Sequence, residues 1–386
     1  MALVFKKGKL RSLILWVHRW LGLISGIVVF IVAITGCLYV FEAEGHDLFQ
    51  HKYLYVSPGA AKMPLAQLSN IVAKNYPKET ITQIRFKEAA DAAIIYFTKS
   101  KNAISINPYS GAIIGVRDME ADFFNWIEEM HVKLHLGKPG KQIIKFNVLI
   151  FFILCISGLI IWWPKQKKFF KQAATIHFKT KNWKRFNWDL HSVLGFYALS
   201  ILLVVSLTGI FWVFDWAKQL TAFATSSKIS KAPENSGAKN SVAFTLENAY
   251  EQSKQLYPIA DQVFLSYPPK PKDPIRVIFL YPYNIVRKQN TLFFDKGTGA
   301  ILRQDLYKNY STYDKIAKSN YDFHTGGIQI LGIGSKIIYF LASLIAASFP
   351  ITGFLIWWGR GKKSSDKKIS NKSTEEETKT YSMQLN

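Results

Sequence analysis

Four of the eight histidines in this 386-residue chain hold matching places in two halves of the sequence. His18 opens one apolar stretch in Trp16-Val17-His18-Arg19-Trp20-Leu21-Gly22. His191 opens another in Trp188-Asp189-Leu190-His191-Ser192-Val193-Leu194-Gly195. Eighteen residues after each comes a glycine, Gly36 in Ile34-Thr35-Gly36-Cys37 and Gly209 in Leu207-Thr208-Gly209-Ile210. Each half closes with a second apolar stretch, ending Ser157-Gly158-Leu159-Ile160-Ile161-Trp162-Trp163 or Thr352-Gly353-Phe354-Leu355-Ile356-Trp357-Trp358. A histidine precedes each closing stretch, His131 nine residues before Gly140 and His324 ten before Gly334. Paired imidazoles at two depths of a bilayer can ligate two haem irons, His18 with His191 and His131 with His324. Bis-histidine ligation leaves no open iron position, so it favours electron transfer over oxygen binding.

The remaining histidines carry weaker signals. His135 lies one helical turn after His131 and competes with it as a ligand at the outer level. The pair has the i, i+4 spacing of a zinc site, but no Glu follows His131, so the metalloprotease pattern is absent. His46 and His51 read as solvated surface residues, and His177 as a residue facing lipid head groups.

Positioning these groups requires spans. Four apolar runs approach or exceed the roughly 20 residues that cross a bilayer, near 14–41, 141–163, 190–214 and 335–358. The first is too long for a cleaved signal peptide and has the His18 motif built into it. Basic residues set the orientation. Residues 1–12 carry Lys6, Lys7, Lys9 and Arg11 with no acid. Residues 164–187 carry eight lysines and arginines with no acid, and the stretch after Trp358 begins Gly359-Arg360-Gly361-Lys362-Lys363. These segments are expected in the cytoplasm, with both termini there. Residues 42–140 and 215–334 are then expected in the periplasm of a Gram-negative cell. The net charge of +23 belongs largely to the cytoplasmic flanks, where it contacts anionic lipid, so nucleic acid is not an expected partner. Cys37 and Cys155, the only cysteines, both fall in spans and offer the outer domains no disulfide.

The two outer stretches share an order of elements. In the first, 65–77 has helical spacing with a proline stop, 81–86 and 93–98 are rich in β-formers, and 103–114 is a hairpin. In the second, the helix is 246–258, the strands 262–267 and 275–280, and the hairpin 292–302. Amphipathic segments follow, Phe123–Leu136 ended by Gly137-Lys138-Pro139-Gly140, and Tyr313–His324 ended by Thr325-Gly326-Gly327. Residues 226–242 read as a flexible linker and 359–386 as a disordered tail. The expected fold is an α-helical membrane protein. It has four transmembrane helices as a duplicated two-helix repeat and two α+β periplasmic domains. Its parts are 1–41, 42–140, 141–163, a basic loop 164–189, 190–214, 215–334, 335–358 and the tail. Spans one and three run the same way, so the halves relate by an axis along the membrane normal.

These motifs together resemble the PepSY-associated transmembrane proteins, from about residue 10 to 362. The resemblance rests on His18-Arg19-Trp20-Leu21-Gly22, on Met130-His131 with Gly137 and Gly140, on Asp189 to Tyr197, on His324-Thr325-Gly326, and on the two Trp-Trp closures. It implies that the outer domains are PepSY-like modules. It also implies an iron-regulated inner-membrane protein that uses two haem b groups to reduce ferric siderophores. The family's outer histidine falls on His131, while His135 takes a position that is usually apolar. Some relatives continue into a flavodoxin and flavin-reductase region. Nothing of that kind follows span four here, so no flavin or nicotinamide site is expected, and the donor is left open between a cytoplasmic protein and a quinol. Two other functions stand beside this one. The first is a haem reductase of another periplasmic acceptor, such as a protein, thiol, copper or quinone. The second is a non-enzymatic, membrane-anchored PepSY sensor or protease inhibitor. The latter leaves the four matched histidines without a role.

Overall fold

The computed structural model describes residues 7–231, 233–237, 244–257, 260–270 and 272–383. The side chains of Lys7, Gly8 and 360–383 lie outside that description, as do Lys6, Pro258, much of the expected linker and the far end of the tail. In chain order the elements are α1 (Lys7–Tyr39), α2 (Glu42–Phe49), α3 (His51–Leu54), α4 (Leu65–Asn75), β1 (Ile81–Lys87), β2 (Ile94–Thr98), β3 (Asn102–Ile106), β4 (Ile113–Asp118), α5 (Phe123–Lys133) and α6 (Gly137–Trp162). There follow α7 (Phe170–Ala173), α8 (Trp183–Val213), α9 (Asp215–Ala224), α10 (Leu246–Leu256), β5 (Gln262–Ser266), β6 (Ile275–Tyr281), β7 (Lys288–Phe294), β8 (Ile301–Asp305), α11 (Thr312–Thr325) and α12 (Ile333–Met383). The chain forms two compact units. One holds residues 1–37, 130–213 and 337–386, the other 38–129 and 214–336.

The first unit is helical. Four helices, within Lys9–Tyr39, Gly137–Trp162, Trp183–Val213 and Ile333–Gly359, are long and apolar enough to cross a membrane. Their exposed Leu, Ile, Phe and Trp side chains suit a lipid solvent, because outward-facing apolar groups cost nothing there. Small residues make the inter-helix contacts. Cys155, Ala198, Ala342 and Ala346 pack together with Leu202, which lets backbones approach closely. The basic loop is tied down by Trp162, against which Phe170 packs edge-on at 5.4 Å. Trp162 lies flat on Phe196 at 3.8 Å and donates its indole N–H to Ala173. The polar stretch expected to be unstructured from 359 is part of α12, which runs to Met383.

The second unit is α+β. Both expected strand sets form, and they join in one eight-stranded antiparallel sheet of order β4-β3-β2-β1-β5-β6-β7-β8. The junction pairs Gln83–Lys87 with Gln262–Ser266. Strand alternation gives one buried face: Ile84 and Phe86 point into the core while Arg85 and Lys87 stay exposed. Helices α4 and α10 cover that face through Leu65, Leu68, Val72, Leu246 and Tyr250. The two hairpin turns are built alike. The Asn107 Oδ1 accepts the Tyr109 N–H, as Asp295 Oδ1 accepts those of Gly297 and Thr298. Gly111 (φ 69°) and Gly299 (φ 74°) then take the left-handed conformation that admits the chain into the next strand.

Candidate functional site

In the helical unit, α1, α6, α8 and α12 surround an apolar cavity of about 200 Å³. His18 and His191 both line it, with ring centroids 6.4 Å apart and planes at 89°. Glycines make room for them. A Cβ on Gly158 would come 3.3 Å from His18 Cε1, and one on Gly353 would come 3.4 Å from His191 Cε1. Each ring therefore lies against a helix backbone where no side chain intervenes. Pro350 inside α12 faces Gly26 in the same way, with 3.3 Å between its Cβ and a Cβ built there.

Each imidazole is held by a hydroxyl from the partner helix of its own half. His18 Nδ1 lies 2.8 Å from Ser157 Oγ, and His191 Nδ1 lies 2.8 Å from Thr352 Oγ1. Both hydroxyls donate their single proton elsewhere: Ser157 to the Ile153 carbonyl (2.7 Å), Thr352 to that of Ser348 (2.9 Å). A hydroxyl that has given its proton to its own helix can only accept from the ring. Nδ1 must then carry the hydrogen, which leaves the lone pair on Nε2, the arrangement of a metal-ligating histidine.

His131 repeats the pattern at the other end of α1. Its Nδ1 lies 3.0 Å from Thr35 Oγ1, which donates to Ile31 (2.8 Å), and its Cε1 lies 3.5 Å from a Cβ built on Gly36. Burial pushes its pKa down to about 4, so the ring is neutral near pH 7. Thr208, at the matching place in α8, makes the same back-bond to Val204 (2.8 Å). His324 is half-buried in the last turn of α11 and belongs to the other unit.

His135 does not continue the helix of His131. α5 ends at Lys133, and Leu134 (φ 54°) and His135 (φ 53°) turn the chain through left-handed conformations. His135 is exposed. The residues expected only to stop α5 in fact open α6. Gly140 is required there, because a Cβ would sit 1.7 Å from the Lys133 carbonyl oxygen.

Two of the remaining histidines have acidic partners. His177 pairs with Asp189 (2.9 Å), a carboxylate only 2 % exposed that also binds Arg185 Nε at 2.9 Å. The acid lies in α8, just past the loop, and anchors it. His46 sits between Glu42 (3.1 Å) and Asp122 (3.2 Å). Ser157, Thr352 and Thr35 went unassigned in the sequence. Their signal was a Ser/Thr-Gly dipeptide in every span: 35–36, 157–158, 208–209 and 352–353. Among the described residues no group of three or more His, Cys, Asp or Glu side chains could hold a metal ion.

A multi-pass helical unit joined to an antiparallel sheet, with histidines seated on Ser/Thr-Gly pairs, defines a class of membrane protein. The family described as the PepSY-associated TM region matches residues 15–360, and the chain belongs to it. No curated protein matches the chain.

Proposed function

We propose that this protein is a di-haem b electron-transfer protein of the bacterial inner membrane that delivers electrons to a periplasmic ferric siderophore, releasing its iron. The observation that carries the proposal is the His18–His191 pair. Their ring centroids stand 6.4 Å apart, so His18 and His191 would hold the iron of a haem bound in the cavity, which would supply one-electron transfer there. The cavity between them is apolar, and Gly22, Gly26, Gly158, Gly195 and Gly353 on its walls leave space for a flat macrocycle. Arg19 also lines it, and its Nε has no hydrogen-bond partner among the described residues. That guanidinium suits the carboxylates of a haem.

A bis-histidine haem supplies one-electron transfer without an open iron site. The chain's own residues do the rest. Ser157 and Thr352 hold the inner imidazoles in the ligating tautomer, Thr35 does so for His131, and the apolar walls exclude water. The second pair, His131 with His324, rests on the symmetry of the sequence. The basic flanks of the spans support a cytoplasmic location for both termini and for the 164–189 loop. Electrons then enter on that side, from a cytoplasmic protein or a quinol.

The test is a reduced-minus-oxidised spectrum of the purified protein with a pyridine haemochrome assay, followed by reoxidation with ferric siderophores. We expect two haems per chain, sharp α bands on reduction, and reoxidation by the chelate. Less than one haem per chain, in protein made with ample haem, would sink the proposal.

A further inference from the structure

Helix α9 turns its large apolar side chains outward. It has ten residues, Asp215–Ala224. Trp216, Leu220 and Phe223 recur at i, i+4 and i+7, so they form one stripe along it. They are 49, 58 and 82 % exposed. The other side carries the small residues Ala217 and Ala222, both buried. The chain after the helix secures that side. The Ser227 N–H donates to the Ala222 carbonyl (2.8 Å), and the Ser227 hydroxyl accepts the Tyr313 N–H at the start of α11 (3.4 Å). The helix is held through its small residues, and its large apolar ones are left in the open.

The fold does not demand this stripe. Counted from His18 as from His191, the matching positions in the first half are Ala43, Asp47 and Gln50, in and beside α2. Two of these are polar and have partners: Asp47 accepts the Tyr55 hydroxyl (2.9 Å), and Gln50 binds Asp122. An exposed cluster of large apolar side chains marks an interaction surface.

The place of α9 in the chain names the partner. No Asp, Glu, Lys or Arg lies between Asp189 and Asp215, and this run forms the membrane-crossing part of α8. α8 ends at Val213, and only Phe214, in an extended conformation (φ −121°, ψ 122°), separates it from α9. Three residues of chain reach at most ~11 Å, which keeps Trp216 within reach of the lipid headgroups. Trp216 also contacts the Phe214 ring at 5.5 Å. Indole rings favour the membrane–water boundary. A helix with Trp, Leu and Phe on one face is suited to lie in the plane of that boundary.

We propose that α9 is an interfacial anchor. It lies along the leaflet surface where α8 emerges, with Trp216, Leu220 and Phe223 sunk roughly 5–10 Å into the boundary between headgroups and acyl chains. Its one cation, Lys218, pairs with Asp215 at 2.9 Å. The contact therefore rests on apolar burial and needs no anionic lipid.

The test is spin labelling of the full-length protein in phosphatidylcholine vesicles. Cys37 and Cys155 are buried, so a thiol-reactive nitroxide should label only an introduced cysteine. Trp216→Cys, Leu220→Cys and Phe223→Cys are made one at a time, with Asp215→Cys as the polar-flank control. We expect the three stripe labels to collide with oxygen, which concentrates among acyl chains, in preference to a water-soluble nickel chelate. The Asp215→Cys label should show the reverse. Adding phosphatidylglycerol or salt should leave the pattern unchanged. Stripe labels open to the nickel chelate overturn the anchor. So do stripe labels shielded from both reagents whose dipolar broadening vanishes on dilution with unlabelled protein, because a second copy then covers the stripe. A pattern that appears only with phosphatidylglycerol overturns the apolar basis of the contact. Trp216→Phe gives a reading that needs no cysteine. In brominated phosphatidylcholine, the fluorescence this variant loses should be fluorescence that the lipid quenches in wild type. An unquenched Trp216 overturns the anchor even if the cysteine variants fail to fold.

Discussion

His191 donates its Nδ1–H to Thr352 Oγ1 across 2.8 Å, while the Thr352 hydroxyl proton goes to the Ser348 carbonyl of its own helix. The same geometry joins His18 to Ser157. A side chain on one span thereby sets the tautomer of an imidazole on the next. Removing the hydroxyl leaves the ring in place but frees it to rotate and to exchange tautomers. Under the di-haem reading, Ser157→Ala and Thr352→Val should each lower affinity for the inner haem by roughly 10–100-fold and shift its midpoint potential. Ser157→Thr and Thr352→Ser should keep both near wild type. Haem titration into apoprotein with redox potentiometry checks this, and unchanged values in Ser157→Ala and Thr352→Val would remove the positioning role.

The glycines beside those hydroxyls give a steric test. Gly158 and Gly353 face Cε1 of His18 and His191 at 3.3 and 3.4 Å, whereas a Cβ on Gly22 meets only Leu154 Cδ2 at 3.8 Å. Val at 158 or 353 must displace an imidazole, while Ala at 22 makes ordinary van der Waals contact. We expect Gly158→Val and Gly353→Val to lose most of the inner haem absorbance. Gly22→Ala should retain it. The readout is haem per chain in protein whose circular dichroism matches wild type.

The spans and strands were legible because their signals are local: apolar runs of membrane length, and alternation such as Ile84-Arg85-Phe86-Lys87. What was not legible depends on partners distant in sequence. The junction of β1 and β5 merges two strand sets into one sheet. As separate modules, each would leave Ile81–Lys87 or Gln262–Ser266 unpaired on one side. The run Gly137-Lys138-Pro139-Gly140 looks like a helix stop because glycine as a breaker and glycine as a close approach are written with the same letter. Only the Lys133 carbonyl tells them apart. The four Ser/Thr-Gly dipeptides were visible, but not which atom each hydroxyl faces. The acidic partner of His177 was not foreseen because Asp189 stands outside the basic run.

That close approach makes Gly140→Ala a sharp stability test. A methyl 1.7 Å from a carbonyl oxygen cannot be absorbed by a rotamer change, so the turn from α5 into α6 must open. We expect a loss of at least ~2 kcal/mol, seen as a lower Tm. Gly334→Ala, where a Cβ meets nothing within 4 Å, should be nearly neutral. Equal effects from the two would show that the turn does not hold this geometry.

In the sheet unit, the His46–Asp122 pair links stability to pH. Burial opposes charge on His46, but hydrogen bonds to Asp122 and Glu42 outweigh it and lift the ring to about 9. A raised folded pKa means the contribution is complete below the unfolded value, roughly 6.5, and is lost as pH climbs through about 9. Burial also opposes charge on Asp122, yet its hydrogen bonds, chiefly to His46, bring it down to about 2. That contribution is present above about 4 and disappears as pH falls through about 2. Stability should fall between pH 7 and 10 by on the order of 1–3 kcal/mol, read in thermal melts as a falling Tm. His46→Gln should flatten that limb. An identical slope in His46→Gln would place the titration elsewhere.

The histidines at the two ends of α1 should fail separately. His18 reaches Ser157, while His131 packs on Thr35 and Gly36, seventeen and eighteen residues further along the same helix. Eighteen helical residues span roughly 27 Å, too far for one metal to take both. Under the di-haem reading, His18→Ala or His191→Ala should therefore remove one haem and spare the other. His131→Ala or His324→Ala should remove the second, abolish transfer to a periplasmic acceptor, and leave the first reducible from the cytoplasmic side. His135→Ala should leave both, because His135 has turned off the α5 axis through a left-handed backbone and lies exposed. Haem stoichiometry and α-band position for each variant give the readout. Loss of the second haem in His135→Ala with retention in His131→Ala would move the ligand to His135. Loss of both haems from one alanine variant that stays folded would overturn the two-centre arrangement itself.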